Sequence, residues 1–269
     1  MNKLKIIFQY IFGITLSLCL TLLVLVRILN KTVCKKEYIK STLNETNYYE
    51  TINRETLEEM KNYMISSGLP EEVLKDIYTK EEIKKDVNSF IDDYYEGKKH
   101  KVDKDRVKLR LTNNIDAYLK ENHETVTSNH ELNEFIEDIT DIYEKEVTLY
   151  HFIDNYASVF YKISYYLNVV TTILFFVTIF IFVIECFLKT KFIGSIFISS
   201  GLNMLLILYF LSEKIDYKNI LVISDYFSKV MKHIFEYILK ISLTSSSILI
   251  ILGLILNFVL SFEKRKLKK

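Results

Sequence analysis

The chain has 269 residues, of which 49% are hydrophobic and 26% are charged, and its formal net charge is +1. This composition excludes one uniform soluble domain, because the apolar residues concentrate in four charge-free runs separated by polar sequence. Without a basic stripe, nucleic acid is excluded as the predicted partner. The three cysteines (Cys19, Cys34 and Cys186) fall at different predicted membrane depths or on opposite sides, so no disulfide framework is expected.

The four apolar runs predict four membrane spans, and hence the lipid bilayer as a partner. They cover residues 6–26, 167–184, 192–211 and 241–262. Each is 18 to 22 residues long, and about 20 apolar residues cover the hydrocarbon core of a bilayer. We expect the first run to be an uncleaved anchor, because it is longer than the core of a signal peptide and continues into Arg27 without a small-residue cleavage site.

Between the first two runs, residues 31–165 predict a domain of about five helices. Apolar residues recur there at steps of three and four, the period of an amphipathic helix. Gly68, followed by Pro70, predicts the end of a helix over residues 47–67 and the start of a short one. The links between the predicted helices are short, which favours antiparallel packing.

Capping residues mark three further helix starts in this domain. They are Thr79 with Glu82, Asp103, and Ser128 with Glu131. The last of these opens a long helical pattern, over residues 130–184, that no Gly or Pro interrupts. We interpret it as one helix, or two joined nearly in line, that carries the polar domain into the second span.

A second polar segment, residues 213–240, also has a helical pattern. Its apolar residues recur every four positions, at Tyr226, Val230, Ile234 and Ile238. This predicts an amphipathic helix that lies on the outer membrane surface or packs under the helical domain before it enters the fourth span.

Charge near the span ends predicts the orientation. The N-terminus, the link between spans two and three, and the C-terminus together hold nine basic and two acidic residues, whereas residues 31–165 hold 20 basic and 28 acidic residues. Basic flanks favour the cytoplasmic side. We therefore predict a plasma-membrane protein with both termini cytoplasmic and residues 31–165 outside, although Arg27 and three nearby lysines oppose this.

Each predicted span carries small or polar residues on one face. They are Gln9, Gly13 and Ser17; Thr171, Thr178 and Glu185; Ser195, Ser199 and Asn203; and Ser242, Ser246, Gly253, Asn257 and Ser261. Such stripes are typical of packed helices in membranes. A transport path is disfavoured, because the acid nearest to a span, Glu185, is predicted at its cytoplasmic end beside Lys189.

The sequence lacks the zinc-protease, dithiol, phosphate-loop and serine-hydrolase motifs. No cofactor and no metal site is predicted, because the paired histidines and acids are too few for a ligand set. One catalytic hypothesis stays open. His151 and Asp154 precede the second span and His233 precedes the fourth, so the three are candidates for a general base at the outer surface that acts on lipid or lipoprotein.

This layout is similar to that of the four-span lipoprotein intramolecular transacylases of Gram-positive bacteria. Residues 232–235, Lys-His-Ile-Phe, resemble the histidine-containing outer loop of that family. The resemblance implies acyl transfer at the outer surface. The chain departs from the family at its other histidine-bearing stretch, because residues 131–135 have Glu134 where a histidine is expected.

A broader resemblance covers the polar domain. Its stretches 47–49, 66–74, 86–87 and 95–98 look like those of uncharacterised four-span membrane proteins of clostridia and related bacteria. This resemblance implies the localisation and a helical outer domain, but no activity.

The predicted fold is all-α: a four-helix transmembrane bundle with a helical extracytoplasmic domain inserted between spans 1 and 2. Residues 1–30 form the first anchor, 31–165 the helical domain, and 166–269 the three-span part with its outer loop. The first function hypothesis is non-catalytic binding of a membrane or envelope protein, or of an envelope ligand, by the outer domain. The alternatives are an outer-surface enzyme and an accessory subunit of a transport complex.

Overall fold

The computed structural model describes residues 3–65, 67–123, 128–148, 157–187, 192–214 and 225–266. These residues form nine α-helices and one short 3-10 helix, and none of them lies in a strand. The helices are α1 (Lys3–Lys31), α2 (Lys36–Glu45), α3 (Tyr48–Met64), the 3-10 helix Glu71–Leu74, α4 (Lys80–Tyr95), α5 (Asp105–Glu121), α6 (Asn129–Val147), α7 (Ala157–Phe187), α8 (Ile193–Lys214) and α9 (Asp225–Lys266). The predicted all-α class is confirmed.

Four of these helices are long and apolar enough to cross a membrane. The apolar segments are Ile6–Lys31, Lys162–Phe187, Ile193–Glu213 and Tyr226–Phe262. They match the four predicted runs and, except for the third, extend well beyond them, because polar residues at the ends continue the same helix. The predicted helix before the fourth span is part of α9, which runs without a break through 42 residues.

The chain divides into two compact units. The span unit comprises residues 1–38, 162–220 and 231–269, and the helical unit comprises residues 39–161 and 221–230.

Local signals fix the helix starts in the helical unit. At Thr79 the capping box forms in full: the hydroxyl oxygen accepts from the backbone N–H of Glu82, and the Glu82 carboxylate accepts from the backbone N–H of Thr79. Ser128 also caps its helix through the N–H of Glu131. The predicted cap at Asp103 is wrong, because α5 begins at Asp105 and Lys104 occupies the cap position without a side-chain bond.

The long predicted helix is described at its two ends. Helix α6 ends at Val147 and α7 begins at Ala157. The junction between them lies outside the described residues, so its form stays a prediction.

The core of the helical unit joins α3, α4, α5 and α6. Its fully buried apolar side chains include Ile52, Met60, Ile83, Val87, Leu111, Ile115, Ile136 and Ile139. The first turn of α9 packs on the same unit: the Tyr226 ring meets the buried Tyr48 ring edge-on, and its hydroxyl donates to Glu146 at 2.9 Å. These contacts hold the unit as one body.

In the span unit, polar side chains connect helices, and some of them, such as Ser17, Thr171 and Asn203, belong to the predicted stripes. Between α1 and α8, the Ser200 hydroxyl donates to the carbonyl of Ser17 at 3.0 Å and the Thr21 hydroxyl donates to the carbonyl of Ser200 at 3.1 Å. The Asn203 amide donates to the Ser17 hydroxyl at 3.2 Å. Between α1 and α7, the Asn30 amide donates to the Thr171 hydroxyl at 2.7 Å.

Glycine brings α8 and α9 together. The Ser246 hydroxyl donates to the carbonyl of Gly201 at 2.9 Å. A Cβ at Gly201 would lie 2.8 Å from the Ser246 carbonyl oxygen, and one at Gly253 would lie 2.8 Å from the Ile198 nitrogen. Such distances allow no side chain, so these glycines set the separation of the two helices.

Candidate functional site

The three predicted catalytic residues are described only in part. His151 and Asp154 lie outside the described residues. His233 is on α9 and is half-buried, with Val230 and Ile234 buried near it. The structure therefore does not test whether the three side chains meet, and the catalytic arrangement stays a prediction.

The helical unit carries a polar groove of about 450 Å³ between the 3-10 helix and α5. Its lining includes Glu72, Lys75 and Asp76 on one side and Arg110, Asn113, Asn114, Tyr118 and Glu121 on the other. We call this surface the polar groove. It is a candidate binding site because it is concave and convergent polar groups line it.

The sequence builds one wall of the polar groove from a tight turn. Pro70 has an extended backbone and precedes the 3-10 helix, and Asp76 adopts a left-handed conformation with φ of 55°, which short polar side chains tolerate better than most. The Asn114 amide of α5 donates to the carbonyls of Val73 at 2.9 Å and Lys75 at 2.8 Å. This tie fixes the turn against α5, so the groove is formed before any ligand arrives.

Some charged side chains of the polar groove form ion pairs and others do not. Arg110 is fully engaged, since it donates to both Glu82 carboxylate oxygens at 2.8 and 3.0 Å. Glu72, Asp76 and Glu121 are exposed and form no ion pair with any described residue. Lys75 also lacks an ion pair within the described part of the chain. The groove therefore presents three open carboxylates against one amine, which favours a basic ligand.

A network of polar side chains joins α5 to α4 and α6. The Tyr143 hydroxyl of α6 donates to Asp86 of α4 at 2.6 Å, and Arg106 of α5 donates to the same Asp86 oxygen at 3.0 Å. Arg106 also lies 3.2 Å from the Glu82 carboxylate, close enough for ion pairing although the angle is not that of a hydrogen bond. Because Asp86 and Tyr143 are buried, the network locks three helices together.

The electrostatics of this network agree with a structural role. Burial raises the pKa of Tyr143, and the hydrogen bond to Asp86 raises it further. Burial alone would raise the pKa of Glu82, but the hydrogen bonds from Arg110 and Thr79 and the nearby guanidinium charges outweigh it, so that the pKa lies below its usual value. The tyrosine is thus held neutral and Glu82 ionised, which is the charge state that the hydrogen bonds require.

A half-buried histidine–aspartate pair was missed by the sequence reasoning. His100 Nδ1 lies 2.7 Å from Asp93 Oδ2, and the Phe90 ring meets the imidazole edge-on. The Nε2 atom is buried and has no hydrogen-bond partner among the described residues. The signal that marks this pair is Gly97, whose φ of 67° reverses the chain and returns His100 to the end of α4.

The described residues contain no group of three His, Cys, Asp or Glu side chains that could hold a metal ion. In the His100–Asp93 pair, Nδ1 of the imidazole lies against the carboxylate and Nε2 is buried. The polar groove combines a concave surface with carboxylates that have no ion pair among the described residues. No sequence motif identified it, because its residues come from two separated segments.

The chain matches no protein-family model, no curated protein and no solved structure. The two family resemblances therefore stay predictions.

Proposed function

We propose that the chain is a non-catalytic membrane protein whose helical unit lies outside the plasma membrane and binds a basic segment of a membrane or envelope protein in the polar groove. The observation that carries this proposal is the groove itself, in which Glu72, Asp76 and Glu121 have no ion pair among the described residues.

Two further features support a docking role. The hydrogen bond from Asn114 to the 3-10 helix and the network of Asp86, Arg106 and Tyr143 make the groove rigid. A preformed site loses less entropy on binding. Residues 31–165 also carry eight more acidic than basic residues, which attracts a basic partner over a longer range.

Orientation is tested first, by labelling intact cells with a membrane-impermeant thiol reagent. Single cysteines replace Lys99, which is exposed in the helical unit, or Leu267, near the C-terminus, in a chain without its three native cysteines. We expect only the cysteine at position 99 to be labelled, because the basic segments favour the cytoplasm. Labelling only at position 267 would place the helical unit inside and would remove the envelope partner from the proposal.

Binding is tested with the full chain in nanodiscs of a neutral lipid and a fluorescent hexalysine peptide as the probe. The variant E72Q/E121Q removes two groove carboxylates without changing their size. We expect it to bind about five- to tenfold more weakly, since exposed ion pairs contribute about 0.2–1 kcal/mol each. Added salt should weaken the binding of the unaltered chain, because it screens surface charges.

The matched control is E59Q/E81Q, which removes the same charge from exposed positions outside the groove. We expect it to change the affinity less than twofold. Equal losses in both variants would show that the peptide responds only to net charge, and the groove would then not be the binding site.

A further inference from the structure

A narrow groove runs between α1 and α8 in the span unit. Its volume is about 170 Å³, and the surface that lines it is mostly apolar. The lining includes Tyr10, Gly13 and Ser17 of α1 and Phe192, Ser195 and Ser199 of α8. Glycine and serine fill little of the space between the two helices, which leaves the groove open. We call this surface the α1–α8 groove.

The two helices that form the α1–α8 groove run in the same direction. The Tyr10 and Phe192 rings stack with their centroids 5.6 Å apart, and further along both helices the Ser200 hydroxyl donates to the Ser17 carbonyl. The stacked rings therefore form the end of the groove that is nearest to the start of both helices. Aromatic rings favour the level of the lipid headgroups in a membrane.

The length of the α1–α8 groove matches one leaflet of a bilayer. The apolar segment of α1 begins at Ile6. At a rise of 1.5 Å per residue, Gln9 at one end of the groove lies about 5 Å inside that segment and Ser17 at the other end about 17 Å inside it. Half of the hydrocarbon core is about 15 Å thick. The groove thus runs from just below the headgroups to the middle of the bilayer, which is the path of one acyl chain.

A lysine lies beyond the headgroup end of the α1–α8 groove. Lys3 precedes Tyr10 by seven residues, which is two helical turns to within about 20°, so the two residues share a face of α1. Lys3 is exposed and lies about 5 Å beyond Ile6, where the apolar segment begins. The headgroup layer adds about 5–8 Å on each side of the hydrocarbon core, so Lys3 is at the level of lipid phosphates.

Helix α9 brings more basic residues to the same level. The Asn257 amide of α9 donates to the Ser195 hydroxyl in the groove at 3.5 Å. The apolar segment of α9 ends at Phe262, and the helix continues through residues 264–266, Lys-Arg-Lys, about 3–6 Å beyond it. At this level α1 and α9 together carry five basic residues, within residues 3–5 and 263–266, and one acid, Glu263.

We propose that the α1–α8 groove binds one acyl chain of an anionic phospholipid, whose headgroup pairs with Lys3. The occupant is a single chain because the groove is too narrow for a helix, which is about 10 Å across. The lipid is anionic because basic residues gather at the headgroup end of the groove, and each basic residue near a membrane surface favours an anionic lipid by about fivefold. The proposal does not depend on the polar groove, which lies in the other unit, so either proposal can fail alone.

The test is photo-crosslinking of the full chain in nanodiscs of phosphatidylcholine that contain a small fraction of phosphatidylglycerol with a diazirine in one acyl chain. Light releases nitrogen from the diazirine, and the carbene that remains inserts into a nearby C–H or O–H bond. Adducts are mapped by peptide mass and normalised to those on α7, where Phe176 and Phe180 are exposed. We expect adducts on residues 9–17 and 192–199, about fivefold more than with phosphatidylcholine that carries the same diazirine.

Two pairs of variants separate the headgroup contact from the acyl-chain contact. K3Q should lower the labelling by phosphatidylglycerol about fivefold. Its control K5Q removes the same charge about 160° around α1 and should lower the labelling less than twofold. S199F fills the groove from an exposed position and should abolish the adducts there with both lipids, whereas S247F, at an exposed position of α9, should leave them unchanged.

Three outcomes would overturn the proposal. Equal labelling of the groove by the two lipids would show that it does not select an anionic headgroup. Equal losses in K3Q and K5Q would show a response to surface charge in general and not to a site at Lys3. Absence of adducts from both groove segments would show that something other than lipid, such as a second copy of the chain, covers them. Because Lys3 is exposed, the comparison of K3Q with K5Q does not depend on whether S199F folds.

Discussion

The helical unit and the span unit differ in the side-chain contacts that join their helices. In the helical unit, charged side chains join the helices: Arg106 to Asp86, Arg110 to Glu82, and Lys104 to Asp141 at 2.5 Å. In the span unit, the described contacts between helices use neutral groups, such as the Ser200 hydroxyl on the Ser17 carbonyl.

The difference follows from what surrounds each unit. The basic partner of each of these pairs stays partly exposed to water, so its desolvation cost is lower than that of a charge in hydrocarbon. In a hydrocarbon environment a charge is expensive, whereas a hydroxyl can bond to a backbone carbonyl and bring two helices close. Two kinds of helix contact in one chain therefore indicate two solvents, which supports the assignment of the apolar helices to a membrane.

Glu185 is an exception to the neutral contacts of the span unit. It belongs to the span unit and yet is an acid without a hydrogen-bond partner among the described residues.

The largest effect that would sharpen the comparison is expected from D86A in the helical unit. The substitution leaves the Arg106 guanidinium and the Tyr143 hydroxyl without their shared acceptor. Breaking such a buried pair should lower the free energy of unfolding of the helical unit by about 3 kcal/mol. Hydrogen exchange measured by mass spectrometry on peptides from α4, α5 and α6 would report the loss.

The control for this experiment is D116A, which removes an exposed carboxylate of α5. It should change the same free energy by less than about 0.5 kcal/mol. If D86A and D116A have similar effects, the buried network does not hold the helices together, and the contrast between the two units loses its main support.

Most of the fold was predictable from the sequence because the signals are local. Apolar run length predicted the four spans, the Thr79 capping box predicted a helix start, and Gly68 predicted a helix end. Among these local signals, the cap predicted at Asp103 was the error. Asp103 has the chemistry of a cap, but α5 begins at Asp105 with Lys104 before it.

The candidate sites were harder to predict because each depends on residues that the fold brings together. The polar groove joins Glu72 and Glu121, which are far apart in the sequence. Glu185 is fully buried, which its position beside Lys189 in the sequence does not indicate. The Asp93–His100 pair depends on the turn at Gly97. Local sequence patterns do not predict such contacts, because the contacts depend on the tertiary arrangement of the helices.

A smaller effect is expected from a methyl group added between two helices of the span unit. In G201A the new Cβ would lie 2.6 Å from Ile250 Cγ1 and 2.8 Å from the Ser246 carbonyl oxygen. The backbone contact cannot yield by a rotamer change, so α8 and α9 must separate and the Ser246 hydrogen bond must lengthen. We expect a loss of about 1–3 kcal/mol in stability, measured as a lower midpoint of thermal unfolding with a thiol-reactive dye on the native cysteines.

The matched variant is G13A, which adds the same methyl group to α1. Its Cβ would lie 3.6 Å from the nearest atoms of Ile196, an ordinary contact. We expect no loss, or a small gain from the higher helix propensity of alanine. Equal destabilisation by the two variants would mean that glycine acts through helix flexibility in general and not through close approach at Gly201. The span unit would then depend less on tight neutral contacts than its hydrogen bonds suggest.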